Sequence, residues 1–170
     1  MEAAAAFLAV RSRSVEETRR RLGHLGYPPT LCDEVVDQLI SLRYLDDAAF
    51  ARAWVESRDR ARPRGAVALR RELQLKGVPD DIIAEVLEER AQAAAAQVDA
   101  DEALPHDADR EAARRLIKRR ASSLRREADL RRRRQKAYAL LARNGFTPDV
   151  CHEIASGVGR EDPDEPMEGV

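Results

Sequence analysis

Three glycine corners with one shared pattern constrain the fold of this 170-residue chain more than any other feature. In the stretch 64–87, Leu69 and Leu73 lie four residues apart on one helix face, and Gly77 and Val78 follow. A helix that ends in a left-handed residue favours glycine at that point, and an apolar residue just beyond it packs back on the last turn. The stretch therefore predicts two helices joined by a tight corner.

The same pattern occurs around Gly26 and Gly145, 51 residues before and 68 residues after Gly77. A further helical stretch precedes each corner, so the repeated unit contains three helices. Each unit has few large apolar residues and is expected to pack on its neighbour, as in other repeat proteins. The sequence predicts an all-α fold, an elongated array of three tandem three-helix repeats.

The domain boundaries follow from the corners and from changes in composition. An acidic segment without an apolar face, containing Pro105, predicts a flexible linker before the third repeat. Glycine, proline and acidic residues at the end predict a disordered tail. The predicted segments are repeat one at 1–43, repeat two at 44–98, the acidic linker at 99–108, repeat three at 109–157 and the acidic tail at 158–170.

Helix starts are marked by two groups of polar residues. Ser14 and Glu17 have the spacing of a capping box, with serine at the N-cap and glutamate at N3. Asp46 and Asp47 suit the N-cap and first turn of the next helix, where free N–H groups and the dipole favour negative charge. A catalytic or metal-binding role fits this acidic pair less well, since no third ligand or base lies at a useful spacing.

Enzymatic or membrane-embedded function finds little support in the residues. Cys32 and Cys151 occupy the same position of their repeats and read as small buried thiols. The chain has no nucleophile triad, phosphate-binding glycine loop or metal-ligand spacing, and its three histidines, His24, His106 and His152, are isolated. The absence of an apolar run of membrane-spanning length favours a cytoplasmic protein. We also expect a monomer that is not an enzyme and needs no cofactor or metal.

Positive charge is concentrated in two places although the net charge is only −1. Between positions 110 and 143 there are 14 Lys or Arg against 3 Asp or Glu, whereas seven acidic residues and one arginine lie from position 149 onward. Four arginines at a helix N-terminus oppose the dipole, which favours an anionic partner over a solvated face. As a hypothesis, a central basic patch contains Arg58, Arg62, Arg64, Arg70, Arg71 and Lys76, and a second patch contains Arg131, Arg132, Arg133, Arg134 and Lys136.

Several motifs together resemble the RecX family of bacterial recombination regulators. They include Leu45-Asp46-Asp47 with Phe50, Trp54 and Arg58, then Arg64-Gly65, Glu72-Leu73 and Lys76-Gly77, and finally Arg143-Asn144-Gly145-Phe146. The resemblance covers residues 5–157, weakly across 88–112. Thr18 stands where the family usually has leucine. The resemblance implies structural roles for Gly26, Asp46, Asp47, Phe50, Trp54, Gly65, Leu73, Gly77 and Gly145. The helical spacing of Phe50, Ala51, Trp54 and Val55 favours Trp54 as a core residue over a stacking platform.

The resemblance also implies a function. Family members bind the RecA recombinase, mainly as its filament on single-stranded DNA, and usually inhibit its ATP hydrolysis, strand exchange and stimulated repressor cleavage in the SOS response. A curved helical array with basic faces fits the groove of such a nucleoprotein filament, where several weak contacts add by avidity. Weak direct DNA binding is also expected. The alternative is a helical DNA-binding protein that acts without a recombinase, because helix pairs at a corner loosely resemble helix-turn-helix units.

Overall fold

The computed structural model describes residues 2–96 and 107–159, and within these ranges it contains nine helices and no strand. The all-α prediction is confirmed, with the described helices following one another in three sets of three. Most of the predicted linker and nearly all of the predicted tail lie outside the described residues. The helices are α1 Glu2–Val10, α2 Val15–His24, α3 Pro29–Ser41, α4 Asp47–Ala61, α5 Ala66–Leu75, α6 Asp80–Ala95, α7 Ala108–Arg125, α8 Leu130–Arg143 and α9 Pro148–Gly157.

The second and third helices of each set meet at a glycine in the left-handed region. The angle φ is 85° at Gly26, 75° at Gly77 and 78° at Gly145. The residue after each glycine donates its N–H to the carbonyl five residues earlier, over 3.3, 3.2 and 3.4 Å respectively. This is the hydrogen bond of a Schellman C-cap, which satisfies a carbonyl left free at the helix end. All three predicted corners therefore form, with one backbone geometry.

The described residues divide into two compact units. The first contains 2–61 and 69–93, and the second contains 62–68, 94–96 and 107–159. The segment 62–68, which precedes and begins α5, thus belongs to the same unit as α7, α8 and α9.

Each unit has its own apolar core. In the first unit, α1 to α3 enclose Leu22, Val36 and Leu39, while α4 to α6 enclose a second cluster that includes Phe50 and Leu73. In the second unit, α7 to α9 enclose a cluster whose fully buried members are Ala112, Ala113, Leu141 and Cys151.

Trp54 and Thr18 also take part in the packing of the first unit. Trp54 is partly buried against the cluster of α4 to α6, as predicted for a core residue. Thr18 is fully buried and its hydroxyl donates to the Ser14 carbonyl over 3.0 Å. Threonine is tolerated at this fully buried position because its polar atom is bonded.

The start of α2 contacts the α5–α6 corner within the first unit. Ser14 caps α2, and the predicted capping box with Glu17 is confirmed. The Ser14 hydroxyl also donates to the Lys76 carbonyl over 2.6 Å. One serine therefore satisfies the first turn of α2 and a carbonyl at the end of α5.

The two aspartates at the start of α4 have different roles. Asp46 Oδ1 accepts the Ala49 N–H over 2.8 Å, the cap that the sequence predicts. Asp47 Oδ1 instead accepts the Val15 N–H at the start of α2, over 2.9 Å. Burial raises the pKa of the Asp47 carboxyl, and the hydrogen bond from Val15 acts against this. Asp47 thus holds α2 on α4, a contact that its position in the sequence does not reveal.

A matching joint exists in the second unit. The Gly65 N–H donates to the Asn144 carbonyl over 3.0 Å, and the Ala66 N–H donates to both carboxylate oxygens of Asp109 over 2.9 and 3.1 Å. A Cβ added at Gly65 would lie 2.1 Å from the Gly145 carbonyl oxygen. Gly65 is required here by close backbone approach. In both joints, an aspartate near the start of one helix accepts the first N–H of another.

The two cysteines are buried and unoxidised, and their relative exposures are 3% for Cys32 and 0% for Cys151. Each lies six residues after its corner glycine and donates its S–H to the carbonyl of the residue after that glycine, over 3.6 and 3.5 Å. Burial raises the pKa of the Cys151 thiol. These contacts support the interpretation of both residues as structural thiols.

Candidate partner-binding surface

Two cations of the predicted central patch surround the indole of Trp54 in the first unit. The Arg58 guanidinium carbon lies 4.3 Å from the ring centroid, and Lys76 Nζ lies 4.2 Å from it. Arg58 Nε and Trp54 Nε1 donate to the same oxygen of Glu72, over 2.6 and 2.9 Å. Lys76 Nζ donates to Glu17 over 3.0 Å. The charges of Arg58 and Lys76 are therefore both engaged in cation–π contacts and ion pairs within the molecule.

The contacts of this cluster lower the pKa of the Glu17 carboxylate. Burial raises its pKa, but the hydrogen bond and charge of Lys76, the Ser14 N–H and Arg11 outweigh burial, so the pKa lies below its ordinary value. The ionised form is therefore the one that the fold stabilises.

The remaining cations of the central patch lie on different parts of the fold. Arg70 and Arg71 are on α5 in the first unit, where Arg71 is exposed and Arg70 half-buried. Arg62 and Arg64 belong to the second unit, where Arg62 is exposed and Arg64 donates to the Asn144 side chain over 2.6 Å. Within the described residues, Arg62, Arg70 and Arg71 have no hydrogen bond or ion pair. These three are the members of the patch whose charge is available to a partner.

The second predicted patch, at the start of α8, also contains both internally bonded cations and exposed cations. Arg133 is 7% exposed and its Nε donates to the Glu127 carbonyl over 3.0 Å. Arg134 Nε donates to the Val158 carbonyl over 3.0 Å, and Lys136 pairs with the Glu127 carboxylate. Arg133 and Arg134 thus bond to backbone carbonyls around α8, whereas Lys136 is exposed and its charge is paired with a carboxylate.

Arg131 and Arg132 remain exposed at the helix start. The Asp129 side chain caps α8 by accepting the Arg132 N–H over 2.8 Å, which offsets part of the unfavourable interaction between the cations and the dipole. The first turn of α8 therefore presents two cations to solvent while its backbone remains capped.

Helix α7 carries a larger basic surface than either predicted patch. Between positions 114 and 126 there are seven Lys or Arg and no acidic residue, and all seven are exposed. Within the part of the chain that the structure describes, Arg114, Lys118 and Arg120 form no hydrogen bond or ion pair. The sequence itself shows how dense the arginines of this helix are. Only the structure shows that all seven cations are exposed, whereas several cations of the two predicted patches are bonded inside the molecule. We define the α7–α8 basic surface as Arg114, Arg115, Lys118, Arg119, Arg120, Arg125, Arg126, Arg131 and Arg132.

The chemistry of this surface is electrostatic. Guanidinium groups form forked contacts with phosphate or carboxylate, and helices hold them at fixed spacing. The described residues contain no group of three or more His, Cys, Asp or Glu side chains that would hold a metal ion. Across residues 2–96 and 107–159, no helix is long and apolar enough to cross a membrane.

Family models match the chain in three consecutive segments. The matched descriptions are RecX, first three-helix domain, at residues 1–39, RecX, second three-helix domain, at 46–87, and RecX, third three-helix domain, at 107–154. Each matched segment contains the glycine corner of one repeat.

Individual relatives agree with these matches. The regulatory protein RecX of Mycobacterium avium is 34% identical over 150 residues, which cover 86% of this chain and 77% of that protein. The regulatory protein RecX of Prosthecochloris aestuarii is 42% identical over 88 residues, 52% of this chain and 58% of that protein. The crystal structure of RecX from Lactobacillus salivarius shares the fold, with a TM-score of 0.71, 20% identity and 91% of each chain covered.

Proposed function

Because the chain belongs to the RecX family of regulatory proteins, we propose that it regulates the RecA recombinase, mainly as an inhibitor. It binds the RecA filament on single-stranded DNA and thereby modulates ATP hydrolysis, strand exchange and coprotease activity. It acts by binding and not by catalysis, as a cytoplasmic monomer in DNA repair and recombination.

The observation that supports this proposal is the α7–α8 basic surface. Arg114, Lys118, Arg120 and Arg131 are exposed and, among the described residues, have no internal partner. Their charge is therefore available for DNA phosphates or for acidic groups of the recombinase. The free cations Arg62, Arg70 and Arg71 of the predicted central patch add to the same kind of interaction.

The test is the rate of single-strand-dependent ATP hydrolysis by the cognate RecA filament, titrated with this protein below one molecule per recombinase protomer. Inhibition at such low ratios indicates action on filament ends or on the whole assembly, and inhibition only near equimolar amounts indicates binding along the groove. No effect, together with retained binding to naked DNA, would contradict the proposal and favour the alternative of a DNA-binding protein without a recombinase partner.

A charge-reversed variant connects this activity to the surface. Arg114→Glu with Lys118→Glu is expected to weaken filament binding at least tenfold and to flatten its salt dependence, since each lost phosphate contact lowers the number of released counterions. The control is Arg43→Glu, which reverses an exposed cation in the first unit. Equal binding by all three proteins would remove the α7–α8 basic surface from the interaction.

A further inference from the structure

Two of the three corners are covered by the start of another helix in the same unit. At the α5–α6 corner, the Lys76 carbonyl accepts the Ser14 hydroxyl. At the α8–α9 corner, the Asn144 carbonyl accepts the Gly65 N–H. In each case the accepting carbonyl belongs to the residue before the corner glycine. The donor belongs to the residue immediately before the first residue of the covering helix.

Contact with the glycine itself is equally close at both covered corners. A Cβ added at Gly77 would lie 2.3 Å from Glu16 Cγ, and one added at Gly145 would lie 2.4 Å from Ala68 Cβ. Glu16 lies in the first turn of α2 and Ala68 in the first turn of α5. The corners are thus docking surfaces for the N-terminal turn of a helix.

The first corner has the same geometry, but within residues 2–96 and 107–159 no helix start covers it. In these ranges nothing lies within 4 Å of a Cβ added at Gly26, and no group donates to the Leu25 carbonyl. Tyr27 is 42% exposed, whereas the equivalent Val78 and Phe146 are 4% and 5% exposed. Leu25 is itself 46% exposed. Among the described residues, a carbonyl and a glycine that are covered at the other two corners are therefore open at this one.

We propose that the Gly26 corner, defined as Leu25, Gly26 and Tyr27, is a docking site for the N-terminal turn of a helix in a partner protein. The two covered corners specify the N-cap of that helix. The N-cap residue of the partner helix is a serine or threonine, whose hydroxyl donates as that of Ser14 does, or a glycine, whose N–H donates as that of Gly65 does.

The first turn of the partner helix carries a carboxylate. At the covered α5–α6 corner, Glu17 of the docked turn pairs with Lys76 over 3.0 Å. Beside the open corner, the last turn of α2 presents Arg21 and His24, both exposed. A helix that begins with a capping box of the Ser-x-x-Glu type therefore complements this corner in hydrogen bonding and in charge.

The equivalent helix of the third repeat does not fit the site. The N-cap of α8 is Asp129, whose carboxylate has no hydrogen to donate to a carbonyl. Leu130 at the start of α8 already packs on Gly159, where an added Cβ would lie 2.5 Å from Leu130 Cδ1. Docking of a second copy of this chain through α8 is therefore disfavoured.

The experiment uses a preformed helix as the probe. The full chain, labelled with ¹⁵N, is titrated with a side-chain-stapled peptide that has the sequence of residues 13–24 and so contains the capping box of Ser14 and Glu17. We expect chemical-shift changes at the amides of the Gly26 corner, with weak but saturable binding. The matched control peptide carries Ser14→Asp, which keeps an N-cap residue but removes the donor, and it is expected to bind at least fivefold more weakly.

A variant of the full chain completes the test. Leu25→Glu places a carboxylate beside the open carbonyl at an exposed position, and it is expected to weaken peptide binding at least fivefold without unfolding the protein. No shift at the corner, or equal binding of two peptides that are equally helical by circular dichroism, would overturn the proposal. Concentration-dependent dimerisation that Leu25→Glu abolishes would overturn the assignment to a different protein. Loss of RecA filament binding by Leu25→Glu, with peptide binding also lost, would support the site and identify the recombinase as the partner.

Discussion

At the residue scale, Asp47 combines a favourable hydrogen bond with an unfavourable buried charge. Its Oδ1 accepts the Val15 N–H, while burial raises its pKa. A raised pKa means that the folded state binds the proton more tightly than the unfolded state does. The stabilisation from this proton is present at low pH and is lost as pH rises through the folded-state pKa.

We therefore expect Asp47→Asn to be at least as stable as wild type at pH 7, because the amide oxygen still accepts the Val15 N–H and no charge is buried. The advantage should disappear as pH falls below about 4, where the wild-type carboxyl is protonated. Urea unfolding at pH 7 and at pH 3.5 measures both free energies. The control Asp47→Ala should lose about 1–3 kcal/mol at both pH values because the N–H is left unpaired. An Asn variant less stable than wild type at pH 7 would contradict this account.

Substitution of glycine by alanine is expected to have opposite effects on stability at Gly65 and at Gly23. Gly65→Ala forces a Cβ to 2.1 Å from the Gly145 carbonyl oxygen, and overpacking of this kind costs about 1–3 kcal/mol. Gly23 lies in α2 with nothing within 4 Å, so Gly23→Ala should stabilise by about 0.5–1 kcal/mol. Thermal unfolding of the two variants checks the pair. Stabilisation of Gly65→Ala would show that the close approach at Gly65 is not limiting, and destabilisation of Gly23→Ala would contradict the expectation for Gly23.

At the element scale, the arginines of α8 separate into structural and exposed members. Arg133 is buried and bonded to the Glu127 carbonyl, whereas Arg131, two residues earlier, is exposed. The row of cations at this helix start therefore has two explanations: internal hydrogen bonding for some of its members, and charge presented to solvent for the others.

This division predicts different phenotypes for two alanine variants. Arg133→Ala should lower the free energy of unfolding by about 1–3 kcal/mol because the Glu127 carbonyl loses its charged donor. Arg131→Ala should leave stability within about 0.5 kcal/mol of wild type and should weaken filament binding. Urea unfolding and filament-binding assays on both proteins separate the roles. Reduced stability of Arg131→Ala would place that arginine in the packing as well.

At the scale of the whole molecule, nearly balanced charge conceals a strong separation along the chain. The acidic residues of 160–170 number five, against one arginine, while the net charge is −1. These residues lie outside the described structure. An acidic segment of the same chain competes with DNA for basic surfaces through a screened electrostatic interaction.

Truncation after Gly159 is therefore expected to tighten binding to single-stranded DNA severalfold at 50 mM salt and to have little effect at 300 mM, since the Debye length shortens as salt increases. Fluorescence anisotropy at the two salt concentrations measures the difference. The control is a full-length chain in which the acidic residues of 160–170 are replaced by their amides, and it should behave as the truncation does. An effect that persists at high salt would point to a non-electrostatic role for the segment.

Local signals in the sequence determined the helices and their ends. The corners at Gly26, Gly77 and Gly145 and the capping box at Ser14 involve residues within a few positions of one another, so their geometry follows from backbone preferences. The same locality lets the sequence predict Asp46 as a cap. The family was also determined by the sequence, since its motifs are short and local.

Tertiary structure alone decided the partners of these residues. No local rule pairs Asp47 with Val15, Ser14 with Lys76 or Gly65 with Asn144, because each pair joins residues 32 to 79 positions apart. The basic surface was decided in the same way. A charged residue reads identically in a sequence whether it is bonded internally, as Lys76 and Arg133 are, or exposed, as Arg114 is, because burial depends on which helices pack around it. The sequence thus determined the repeats and their corners, and packing decided which corners are covered and which charges are available to a partner.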